Sequence, residues 1–177
     1  MGTQKSKILV VADNVPPAHS GAGIDNVRNY SLLLEAGLPL EVSFVANKLK
    51  ADLELPRLPM KIRRVLNPFR PKQLTKWPID FLRILAHASQ ADVVHFNGSF
   101  PPGLFAIPFT RLLGKRTILQ LHCMEVDDPD SMKKNRRRKL AYWCYKKAHA
   151  FKTYAPRQTK ALLEDGFDAD RIFEIPP

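Results

Sequence analysis

Two histidines stand at the ends of apolar runs, His95 in Asp92-Val93-Val94-His95 and His122 after Ile118-Leu119-Gln120-Leu121. An imidazole so placed can hold or move a proton at a bound ligand. Glu125 follows His122 by three residues, and Asp127, Asp128 and Asp130 come next. The small-residue segment Gly21-Ala22-Gly23 ends a loop rich in proline and glycine, and Asn97-Gly98 follows His95 closely. Each signal also has a plainer meaning. Gly21-Ala22-Gly23 is no dinucleotide fingerprint, because Asn26 stands where a third glycine is needed and the loop from Asp13 is too long. It can still let a backbone approach a ligand and offer helix amides to a phosphate, or it can be an ordinary tight turn. His95 admits both a ligand role and that of a hydrogen-bonded sheet residue. Asp128-Pro129-Asp130 has an Asp-x-Asp form that can hold a metal–nucleotide complex, but acids ahead of a basic helix more simply cap and solvate it, so no metal is expected.

The elements that must carry these residues alternate along the chain. Residues 7–12 are a continuous apolar run, as expected of a strand buried on both faces. Asp25 is expected to cap a helix with Val27, Tyr30, Leu33 and Leu34 on its apolar side, stopped by Gly37 and Pro39. Further strands are predicted at 40–46, 61–66, 91–96, 116–122, 150–154 and 171–175. Further helices are predicted from 78, over 102–113, over 131–147 and over 156–164. The pattern specifies an α/β fold, Rossmann-like, with a mostly parallel sheet and helices on both faces. In such a sheet ligands bind at the carboxyl ends of the strands near the reversal of strand order, and that rule gathers the loops 13–23, 95–100, 122–130 and 154–156.

A chain of 177 residues suffices for one domain with its own core, with 45% hydrophobic and 25% charged residues in the ordinary globular range. The two cysteines, Cys123 and Cys144, have no zinc-site spacing and read as free cytosolic thiols. No apolar run is long enough for a signal-peptide core or a membrane span. The net charge of +11 favours anionic partners. Much of it lies in Lys133, Lys134, Arg136, Arg137, Arg138 and Lys139, on a predicted helix that also carries Trp143. That helix can offer its cations to an anionic membrane surface or to solvent. Nucleic acid would use the same charges, but no recognition module accompanies them.

Four segments, taken in order, resemble the amino-terminal domain of family 4 (group 1) glycosyltransferases of the GT-B fold. They are residues 7–23 with the helix that follows, Ala91-Asp92-Val93-Val94-His95-Phe96-Asn97-Gly98, Gly114-Lys115-Arg116-Thr117-Ile118-Leu119-Gln120-Leu121-His122, and the stretch with Gly166, Arg171-Ile172 and Ile175-Pro176. The resemblance implies that residues 1–177 form the acceptor-side half of a retaining enzyme that moves a sugar from a UDP- or GDP-sugar to a glycan or lipid-linked acceptor. It implies His122 as the catalytic histidine. It places Gly21, Ala22 and Gly23 in the substrate cleft, with His95, Asn97, Gly98 and Glu125 as further candidate substrate-binding residues. Beyond the nucleotide-sugar donor it implies no cofactor. It also implies a cytoplasmic protein resting peripherally on the inner face of the cell membrane through the basic helix. The pattern departs from the family where Ala22 splits the glycine pair, where Cys123 follows the histidine, and where Pro177 replaces a junction asparagine. The nucleotide-sugar-binding domain of the family is not among these residues, so transfer by them alone is not expected. The alternative is a stand-alone basic module for anionic lipid or nucleic acid.

Overall fold

A computed structural model describes residues 4–16, 21–48, 58–67, 76–98, 100–122, 129–134 and 139–175. Seven strands form one sheet: β1 (Ser6–Ala12), β2 (Leu40–Asn47), β3 (Lys61–Leu66), β4 (Val93–Asn97), β5 (Arg116–Gln120), β6 (Ala150–Thr153) and β7 (Ile172–Glu174). Their spatial order is β3-β2-β1-β4-β5-β6-β7, and every neighbouring pair is parallel. The order reverses between β1 and β4, so the carboxyl ends of those two strands flank the crevice such sheets offer to ligands.

Parallel neighbours require crossovers, and helices supply those outside the β2–β3 connection. They are α1 (Gly21–Glu35), α2 (Trp77–Ala88), α3 (Pro101–Leu112), α4 (Pro129–Lys134), α5 (Lys139–Tyr145) and α6 (Pro156–Glu164). The period-two alternation of the strands sorts the core into two layers. Leu9, Val11, Val94, Phe96, Leu119, Leu121 and Phe151 pack with Ile84 and Ala88 of α2, Leu104 and Ile107 of α3 and Tyr145 of α5. On the other side Val10, Ala12, Val42, Phe44 and Ala46 meet Val27 and Tyr30 of α1. Helices therefore cover both faces of the Rossmann-like sheet, as the alternation of elements implied.

Three details differ from the sequence expectation. First, α1 begins at Gly21, so Asp25 lies within the helix, its carboxylate engaged across the sheet and not capping. Second, the helical residues described around the predicted helix 131–147 begin at Pro129 and end at Tyr145, while 135–138 lie outside the described residues. Third, a 3-10 turn at Ala169–Arg171 precedes β7, which is only three residues long. Cys144 is a buried free thiol whose pKa burial pushes up to about 11, which makes it inert, while Cys123 lies outside the described residues.

Candidate functional site

Register puts an unusual row of side chains at the carboxyl ends of the strands. Ala12 of β1 pairs with Asn97 of β4, Asn97 with Gln120 of β5, and Gln120 with Lys152 of β6. Paired residues of parallel strands point to one face, here the face that α1 covers. Asn97, Gln120 and Lys152 are all buried. Burying such groups costs free energy unless hydrogen bonds replace water, so their partners define the site.

Those partners converge on Asp25 and His122. Gln120 Nε2 donates to the Tyr154 hydroxyl, and that hydroxyl donates to Oδ2 of Asp25. Lys152 Nζ lies 3.4 Å from the same carboxylate oxygen and 4.9 Å from the centroid of the Tyr154 ring. Burial alone would raise the Asp25 pKa, but the Tyr154 hydroxyl and the Lys152 ammonium together hold it below the usual carboxylate value. Burial and the adjacent carboxylate push the Tyr154 phenol up, so Tyr154 stays a protonated donor. His122 is half-buried just past β5, and its ring faces that of Tyr154 at 5.5 Å between centroids with a 31° tilt. Its Nε2 hydrogen-bonds Oδ1 of Asn97, an oxygen that can only accept, so Nε2 carries a proton.

His95 occupies a different environment from His122. It lies two residues before Asn97 on the same face, is 4% exposed, and its Nδ1 is 2.8 Å from the Tyr30 hydroxyl. Burial foremost, then the Lys152 charge, pulls its pKa down to about 3, with Gln120 offsetting only part, so the imidazole stays neutral in the core. Asn97 Nδ2 has no hydrogen-bond partner among the described residues.

The glycines divide by role. A Cβ on Gly23 would overlap the Asn14 carbonyl oxygen and sit 2.9 Å from its carbon, so that glycine lets α1 close onto its own preceding loop. At Gly21 a Cβ would meet no atom of the described residues within 4 Å, which leaves space among them at the amino terminus of α1. Gly98 has φ 83° and donates its N–H to the Gln120 carbonyl at 3.0 Å, a conformation that favours glycine. Ala22 is partly buried beside them.

Of the remaining candidate residues, Glu125, Arg136, Arg137 and Arg138 lie outside the described residues. Lys133 is committed to Asp165 and lies 3.9 Å from Asp130. Lys139 is exposed, and Trp143 is half-exposed with Lys147 Nζ 5.1 Å from its ring centroid. Lys134 belongs to α4. No group of three or more potential metal ligands occurs among the described residues. Sequence reasoning missed Asp25 in its present role, together with Gln120 and Lys152, and gathered Tyr154 only as the start of the loop 154–156. A further visible signal was a lysine inside the short, largely buried strand Ala150–Thr153.

A protein-family model described as a glycosyl transferase 4-like domain matches residues 30–177. The chain belongs to this glycosyltransferase family. No curated protein sequence matches it significantly. Among solved structures, the chain is similar to UDP-GlcNAc 2-epimerase from Methanocaldococcus jannaschii, with TM-score 0.60 and 15% identity, over 96% of this chain and 45% of that one. It resembles Phytolacca americana UGT2 complexed with UDP-2-fluoro-glucose and pterostilbene, with TM-score 0.60 and 12% identity, over 100% and 55%. The lipopolysaccharide outer core galactosyltransferase WaaB follows, with TM-score 0.56 and 14% identity, over 94% and 44%. The chain thus spans about half the length of these solved chains, and at such identities the likeness shows the fold: the Rossmann-like half of a GT-B architecture.

Proposed function

We propose that this chain is the acceptor-side wall of a glycosyl-transfer cleft, which a second, nucleotide-sugar-binding lobe closes. The observation that carries the reading is that Tyr154 holds the Asp25 carboxylate of α1 while its ring lies against His122 at the strand ends, in a chain of this family. The α1 amides face a donor phosphate, and the His122 ring, held by Asn97 and Tyr154, contacts the sugar near its reacting carbon. The donor is a UDP- or GDP-sugar, the acceptor a glycan or lipid-linked hydroxyl, the stereochemistry retention, and no metal takes part. In the protein containing both lobes, His122→Ala should lower kcat by about 100-fold with an unchanged circular dichroism spectrum. Turnover within about twofold of the native protein would remove His122 from the reaction.

The same reading rests the domain on an anionic membrane at the cytoplasmic face. No described helix is long and apolar enough to cross a bilayer. The outer surface of α3 and α5 nevertheless exposes Leu112, Leu113, Leu140 and Trp143. Arg111 Nη1 donates to the Lys147 carbonyl at 2.9 Å and ties the last turn of α3 to the end of α5, so these apolar side chains stand among Arg111, Lys139, Lys146 and Lys147. Apolar tips within a cationic surround suit a lipid headgroup layer, each cation contributing about 1 kcal/mol near the surface.

A further inference from the structure

The Asp25 network joins parts of the fold that the backbone leaves independent. Asp25 belongs to α1, beside the crevice at β1, whereas Lys152 and Tyr154 come from the end of β6, three strands away in the sheet order. The contacts span 127 residues for Lys152 and 129 for Tyr154. Tyr154 serves both ends of the site at once, since its hydroxyl holds the Asp25 carboxylate while its ring lies against His122. Gln120, buried beneath, fixes the direction of the chain by donating to that same hydroxyl, which can then donate only toward Asp25. Lys152 supplies the charge that keeps a partly exposed carboxylate ionised in place, and it is itself 8% exposed, so it needs Asp25 as much as Asp25 needs it.

We infer that Asp25, Tyr154 and Lys152 form a clamp that sets the amino-terminal turns of α1 and the ring of His122 in one fixed relation, and that all three are positioning residues for glycosyl transfer. The inference rests on the glycosyl-transfer reading for its functional half. Its structural half stands without it. A carboxylate already holding a tyrosine hydroxyl and an ammonium is a poor proton acceptor, so Asp25 orients and does not abstract. The clamp makes the open space at Gly21, where a donor phosphate would sit, and the imidazole of His122 move as one body.

The test has two arms that separate these halves. In 1H–15N spectra of the 177-residue chain, Tyr154→Phe keeps the ring but removes the hydroxyl, and it should shift the Gly21, Ala22 and Gly23 amides and the His122 ring resonances. Changes confined to the neighbours of residue 154 in the sequence would overturn the clamp. In the transfer-competent two-lobe protein, Tyr154→Phe should lower kcat about tenfold while leaving the nucleotide-sugar KM within about twofold. Lys152→Arg should retain most of the turnover that Lys152→Met loses. A raised KM with native kcat, or equal turnover by Lys152→Arg and Lys152→Met, would refute positioning. If no form of the protein transfers sugar, the functional reading fails while the spectra still decide the clamp.

Discussion

The clearest charge decision in the chain is made at His95. Its pKa lies at about 3 in the fold against an ordinary 6.5, so between those values the unfolded chain binds a proton that the folded chain refuses. Stability should therefore fall as pH drops from 6.5 toward 3, by up to about 1.4 kcal/mol per pH unit from this one group. His87 and His149 are also lowered, chiefly by burial, and add to the loss with the same sign. His95→Gln keeps an acceptor for Tyr30 but cannot charge, and urea midpoints at pH 7 and 5 should lie closer together for it than for the native chain. Equal spacing would mean that His95 does not govern the acid limb. The two loop glycines give a second contrast. Gly23→Ala should cost about 1–3 kcal/mol by forcing α1 off the Asn14 carbonyl, whereas Gly21→Ala should leave the thermal midpoint unchanged, since its Cβ enters open space. If Gly21→Ala weakens nucleotide-sugar binding at native stability, the open space is ligand space; equal melting losses for both variants would contradict the assignment.

Among the elements, those whose pattern is local were legible and those that depend on distant partners were not. The spacing of Val27 and Tyr30 identifies α1, and short apolar runs identify β1, β2, β4 and β5. Asp25 looked like a cap because capping is the local use of an aspartate near a helix start. Its actual partners, Lys152 and Tyr154, are brought to it only by strand order. Asn97 and Gln120 were likewise readable as strand residues, but not as neighbours in one polar row, because register is a property of the assembled sheet. Charge and periodicity alone show the basic stretch as helical, but not that Lys133 is committed to Asp165 at the carboxyl end of α6. What α3 and α5 share outward leads to a separate expectation. The chain should cosediment with vesicles containing anionic lipid but not with neutral ones, and Leu112→Asp together with Trp143→Asp should abolish this. In a Trp77→Phe background, Trp143 emission should shift to the blue on binding. Vesicle binding indifferent to those substitutions would place the contact elsewhere.

At the scale of the whole molecule, the sequence sufficed for the class of fold, since strands and helices largely alternate from β1 to β7. It did not suffice for the site, which is a convergence of residues from α1, β4, β5 and β6 and the turn that follows. The excess of +11 is carried partly by residues that the fold employs internally, such as Lys152 against Asp25 and Arg171 against the His149 and Ala148 carbonyls, and only the remainder is offered outward. The uniformly parallel sheet has one more consequence, and it concerns time. No two neighbouring strands can meet through a short hairpin, so every pairing waits until a crossover has closed a long loop, and β1 must find β4 after β2 and β3 have intervened. Such a chain gathers its ladder late and exposes half-paired edges meanwhile, so its refolding should be slow and vulnerable to self-association at high concentration.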